Sequence, residues 1–196
     1  LSLIAPNAEE QQDAYVYDPQ DPVPTRGGTT LGMAMGVLDQ NKVEVREDVL
    51  VYTGGLLNAD MEVTGPISLT LYAASSASAS DTDFTAKLVD VRPDGYAQDI
   101  AEGVIRARFR ESLSNPTAIT PGEVYGYTID LWATSHVFKA SHRLRLEVSS
   151  SNFPRYDCNP NTGHDFGVDS ELRTAQQAIF HDNRYPSHIT LPVIPS

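Results

Sequence analysis

Residues 140–163 read ASHRLRLEVSSSNFPRYDCNPNTG. Leu144, Leu146 and Val148 alternate with Arg143, Arg145 and Glu147, which is the period-two signature of a strand with one buried face. The alternation stops at three serines, and Asn159-Pro160 with Asn161-Thr162-Gly163 then supplies turn chemistry. A core strand that hands a long polar loop to the edge of a sheet is a good place for a contact surface. An ordinary strand end with its turn fits the same residues.

Outward from this stretch, strands dominate. Towards the N-terminus, Tyr15-Val16-Tyr17 suits a short edge strand, and the prolines of Asp18–Pro24 keep the next segment extended. Gly27-Gly28 ends it. Residues 29–37, TTLGMAMGV, are apolar but broken by glycine, and read either as a loop packed on the surface or as a lip facing a partner. Val49 to Thr53 and Met61 to Ala74 alternate as strands, with Ala73 to Ser80 a small-residue linker. Phe84 to Val91 follows as a strand, Arg92-Pro93-Asp94-Gly95 is a turn, and Tyr96 to Arg110 returns as the second arm of a hairpin. Tyr125 to Leu131 is a strand that Trp132 closes. Residues 178–181 and 189–194 supply the last two strands, Pro192 suiting an edge; Ser170 to Gln176 is compatible with helix or strand.

Many short strands without βαβ alternation indicate an all-β, two-sheet antiparallel sandwich. The 13 glycines and 13 prolines agree, since they provide the turns such a fold needs. Leu144, Leu146, Val148, Tyr127, Ile129, Phe84 and Leu88 are the expected core. At 196 residues the chain reads as a single domain, residues 1–196. It starts without Met and without a signal-peptide pattern, as expected of a fragment.

A formal charge of −12 argues against nucleic acid as a partner, because phosphates would be repelled. No apolar run is long enough to span a bilayer as a helix, so no membrane partner and a soluble, cytoplasmic setting are expected. The single Cys158 excludes an internal disulfide, and its simplest reading is an incidental side chain. The five histidines show no His-x-x-x-His pair, so no metal and no cofactor is expected. Asp81, Asp83, Asp165 and Asp169 could offer oxygens to calcium, but without EF-hand spacing they read as solvated turn carboxylates. Ser149, Ser150 and Ser151 have no base beside them in sequence, and strand-end hydroxyls usually bond backbone. Gly-x-Ser-x-Gly, the turn that presents a hydrolase serine, does not occur.

Several blocks also carry a resemblance. They are Tyr17-Asp18-Pro19 with Asp21–Pro24, Asp48–Tyr52, Asp81–Leu88, Val137–Lys139, Ser149–Asp157, Asn159–Gly163 and Pro186–His188. In this order they resemble the C-terminal, non-catalytic domain of the family of cocaine esterase, α-amino-acid ester hydrolases and X-Pro dipeptidyl-peptidases (CocE/NonD). The resemblance covers nearly the whole chain, and the blocks together are specific. It implies a jelly roll of galactose-binding-like type, and the expectation that its first strand lies outside residues 1–196.

That family's Ser–His–Asp triad lies in a preceding α/β-hydrolase domain, and no residue of this chain matches it. The resemblance therefore implies a non-catalytic domain that packs on the catalytic domain and helps wall its substrate cleft. The segment after Gly27-Gly28 is the nearest match to the family's pocket-lining stretch, and it lacks the aromatic found there in the cocaine-cleaving member. Cys158 stands where the family usually has Arg. Leu31, Gly32, Met33, Phe153 and Tyr156, together with Met35, are the candidate cleft or interface residues. The alternatives are an autonomous carbohydrate-binding module and a self-associating interaction domain.

Overall fold

The computed structural model of the chain describes residues 1–8, 10–30, 35–77, 81–165 and 167–195. Its strands are β1 (Asp13–Tyr17), β2 (Leu50–Thr53), β3 (Met61–Ser75), β4 (Asp83–Val91), β5 (Ala97–Arg106), β6 (Tyr125–Phe138), β7 (Arg143–Ser149), β8 (Ala175–Phe180) and β9 (His188–Thr190). One sheet runs β1-β8-β3-β6, with β9 also on β3, and the other runs β2-β7-β4-β5. All named pairings are antiparallel. The first strand pairs with the eighth, the second with the seventh, the third with the sixth and the fourth with the fifth. A single long hairpin rolled into two layers gives this order, and it is a jelly roll.

The core lies between the layers. Leu146 and Val148 of β7 and Phe84, Ala86 and Leu88 of β4 meet Ile67, Leu69 and Leu71 of β3 and Tyr127, Ile129 and Leu131 of β6. Each of the valine, leucine, isoleucine and phenylalanine side chains contributes about 1.5–3 kcal/mol by leaving water. The rings of Phe84 and Tyr127 lie 4.9 Å apart across the layers. Leu144 packs at the margin of this cluster and is only half-buried.

Four departures from the sequence reading have local physical causes. First, β7 is not half-exposed, because the segment bearing Val23, Val43 and Val49 covers its outer face and leaves Glu147 4% exposed. That cover includes α1 (Asn41–Glu44), a single helical turn with no sequence signature. Second, β5 ends at Arg106, and Ala107–Phe109 form a 3-10 turn. The Asp81 carboxylate takes the backbone N–H of Arg108, which removes it from the ladder.

Third, β6 runs on past Trp132 to Phe138. Trp132 has φ of 65° and its N–H donates to Asp130 Oδ1, and the register shifts opposite Pro66 and Ser68. This bulge moves the inward positions from 127, 129 and 131 to 134, 136 and 138, so the continuing alternation is out of phase. Fourth, Ala73, Ala74 and Ser75 belong to β3 and are buried rather than forming a linker. Residues 170–174 are irregular and 175–180 are strand β8, which pairs with β3 and β1.

Candidate functional site

After β7 the chain stays buried through Asn152 and then builds the polar loop from its own hydrogen bonds. The Phe153 N–H donates to the Val23 carbonyl, and the Thr25 N–H to the Phe153 carbonyl, so the loop lies parallel to the Pro-rich segment. Asn159 anchors the far side. Its Nδ2 donates to Asp81 Oδ2 at 3.0 Å and Asp83 Oδ1 at 2.8 Å. The Asn159 carbonyl accepts the Tyr17 hydroxyl, and its Oδ1 accepts the Asn161 N–H.

Arg106 grips Asp83 with two nitrogens at 2.7 and 2.9 Å, and Arg108 Nε meets Asp81 at 2.7 Å. Asp81 and Asp83 are therefore buried, ion-paired residues and not solvated turn carboxylates. Burial pushes the Asp83 carboxyl up, while Arg106 and Asn159 pull it down. The three blocks Tyr17-Asp18-Pro19, Asp81–Leu88 and Asn159–Gly163 thus interlock in one buried polar network. Such groups are costly unless each has a partner.

Two of the candidate residues border this loop. Phe153 is 46% exposed, and Tyr156 is half-buried beneath the Arg155 guanidinium, 5.3 Å from its ring centroid. Burial pushes the Tyr156 phenol up, and the charge of Glu102 adds to this. Met35 is 56% exposed. Leu31, Gly32 and Met33 lie outside the described residues.

Glu102 on β5 brings the two candidate loops together. Asn152 Nδ2 donates to its Oε2 at 2.7 Å, and Arg155 Nε stands 3.3 Å from its Oε1. On the other side sits Gly28, with φ of +71°, where an added Cβ would fall 2.3 Å from Glu102 Oε1. Gly28 and Gly36 exchange backbone hydrogen bonds of 2.8 and 2.9 Å, so Met35 precedes the residue paired with Gly28. Nothing in the sequence marks Glu102 for this role. The paired glycines are the one signal that a close backbone approach was needed.

Among the described residues, no serine is activated as a nucleophile. Ser149 Oγ donates to the Asp48 carbonyl, Ser150 Oγ pairs with the Tyr15 hydroxyl, and Ser151 Oγ accepts the Val23 N–H. No histidine appears among these partners. His136 and His142 both bond Asp90, and His181 sits between Glu10 and Asp13. Burial pushes the Cys158 thiol up, with the Asp157 and Asp83 charges adding to it, so the thiolate needed for attack is disfavoured. Among the described residues, no three His, Cys, Asp or Glu side chains are placed so that they could hold a metal ion.

Comparisons with known proteins place this arrangement. Residues 4–190 match the X-Pro dipeptidyl-peptidase C-terminal non-catalytic domain. The chain is 49% identical over 189 residues to cocaine esterase of Rhodococcus sp. (strain MB1 Bresler), which covers 94% of this chain and 33% of that protein. An α-amino acid ester hydrolase structure is similar at 31% identity and a TM-score of 0.89, over 98% of this chain and 34% of the other. An aminopeptidase from a marine sediment Thaumarchaeota archaeon is similar at 33% identity and a TM-score of 0.87, again over 98% and 34%. The chain thus spans about a third of the length of each of these relatives. By its interlocked signature blocks, its jelly-roll order and these matches, the chain belongs to the family of X-Pro dipeptidyl-peptidase C-terminal non-catalytic domains of CocE/NonD-type hydrolases.

Proposed function

We propose that this chain is the part of a serine hydrolase that packs on an α/β-hydrolase domain and walls one side of its substrate cleft. The reaction is hydrolysis of a carboxylic ester or of an X-Pro peptide amide, with the triad supplied by the other domain. One observation carries the reading: the chain corresponds to about a third of enzymes bearing hydrolytic names, while its described residues hold no activated nucleophile. The cleft-facing surface is the junction around Glu102, with Phe153, Tyr156 and Met35 as its described candidates; Leu31, Gly32 and Met33 are the further cleft candidates from the sequence. Exposed aromatic and thioether groups suit an apolar acyl or side-chain group of a substrate.

Residues 1–196 act as one domain in this reading. A chimaera tests the function directly. This chain replaces the matching third of the Rhodococcus cocaine esterase, and ester hydrolysis is measured with Phe153→Ala and Met35→Ala. An active chimaera whose kcat/KM falls several-fold in the variants, with thermal stability unchanged, supports the cleft role. Variants identical to the active parent chimaera would remove it.

A further inference from the structure

The outer face of the β2-β7-β4-β5 sheet buries charge that the cleft reading does not use. Lys87 of β4 is 4% exposed and stands in register between Glu147 of β7 and Glu102 of β5. Its Nζ donates to Gln40 Oε1 at 2.9 Å, just before α1. Asp99 of β5 faces the same charge field, and Glu44 reaches in from α1. Arg145 of β7 bonds Glu44 Oε2, and Arg155 pairs with Glu102. Lys87, Arg145 and Arg155 are thus three cations facing four carboxyls: Glu44, Asp99, Glu102 and Glu147.

Glu44 and Glu147 approach each other within hydrogen-bonding reach. The Oε1 atoms of both are sealed from solvent, and neither finds any other donor. Two ionised carboxylates are acceptors only, so their contact is a hydrogen bond only when one of them carries a proton.

Gln40 ties the parts of the cover above this pair to one another. Gln40 Nε2 donates to the carbonyls of Arg26 and Leu38, the two ends of the segment that carries the candidate lip. Gln40 also receives the N–H groups of Val43 and Glu44, closing the α1 turn.

We propose that a single proton on Glu147, donated to Glu44, latches α1 onto the sheet, and through Gln40 holds Arg26 and Leu38, so that the cover loosens when the proton is lost. The sign follows from the burial. Desolvation, opposed by Lys87 and reinforced by Glu44, pushes the Glu147 carboxyl up to about 8 from an ordinary 4.5. The closed form holds a proton that the opened form releases at much lower pH. Opening therefore becomes about tenfold easier per pH unit between about pH 5 and pH 8, and levels off above that.

Amide hydrogen exchange on the chain tests the latch, with rates corrected for intrinsic base catalysis. The α1 amides of Val43 and Glu44 and the Gln40 amide should lose protection roughly tenfold per pH unit from 5 to 8, through a local opening that leaves the amides of β3 and β6 far better protected at every pH. Glu147→Gln, which keeps the hydrogen-bonding shape without a titrating proton, should flatten that slope. No such loss in the native chain, or an unchanged slope in the variant, overturns the proposal. If Glu147→Gln fails to fold, Glu44→Gln gives the same readout. In the native chain, an infrared band from a protonated carboxyl should be present at pH 7 and lost by pH 9; its absence at pH 7 also overturns the proposal.

Discussion

Gly103 of β5 lies so close to Asp130 of β6 that a Cβ on the glycine would sit 2.2 Å from the Asp130 carbonyl oxygen. These strands belong to different sheets, and here the two layers touch backbone to backbone. The neighbour is main chain that is itself held in the β3–β6 ladder, so it cannot swing aside.

Gly103→Ala is therefore expected to destabilise the sandwich by about 1–3 kcal/mol, the range for overpacking a close contact. Denaturant unfolding checks it, and a midpoint unchanged from the parent would show that the corner relaxes.

The Asp83–Arg106 pair supports the Asn159 loop from beneath, with side-chain exposures of 5% and 12%. Arg106→Ala leaves Asp83 buried without its cation and should cost about 3–5 kcal/mol. The Asn159–Gly163 loop should loosen with it, visible as faster proteolysis near residue 160. A variant that unfolds at the parent's midpoint would mean Asn159 alone holds the carboxylate.

Stability should fall as pH rises from about 4 to 7. Burial pushes the Asp99 carboxyl up to about 7, with Lys87 opposing the shift and Glu102 adding to it. The folded chain then binds a proton that the unfolded chain has released near pH 4. Its contribution is complete below pH 4 and is lost as pH climbs through 7, at no more than about 1.4 kcal/mol per pH unit. Asp99→Asn should be less steep than the parent when unfolding is followed at several pH values. Equal slopes would assign the dependence elsewhere.

Leu146→Ala should cost about 2–5 kcal/mol, since Leu146 is 5% exposed and packs in the central cluster. Leu144→Ala, at the cluster's margin, should cost less. Equal losses in thermal unfolding would show that the margin is as tightly packed as the centre.

The chain alone should not hydrolyse aryl esters or Gly-Pro anilides above the buffer blank. Its described serines are engaged in structural hydrogen bonds, with no histidine partner. Turnover abolished by a serine-directed reagent would contradict this.

Alternation and turn chemistry determined the layered β architecture and most of its core. Leu146, Val148, Phe84, Leu88, Tyr127 and Ile129 all point inward because period two on a pleated strand is a local property of the chain. The signature blocks likewise pointed to the family, and three of them, Tyr17-Asp18-Pro19, Asp81–Leu88 and Asn159–Gly163, meet in the Asp81–Asp83–Arg106–Asn159 network. Tertiary structure decided what happens on the second face of a strand. Glu147 reads as a solvent residue until the Val23–Val49 cover closes over it, and Lys87, Asp99 and Glu102 become buried charges by the same event. It also decided that Trp132 bulges instead of ending β6, and that Glu102 joins the loops bearing Met35 and Phe153. Periodicity records only which residues share a face; which faces another segment covers depends on contacts made far along the chain.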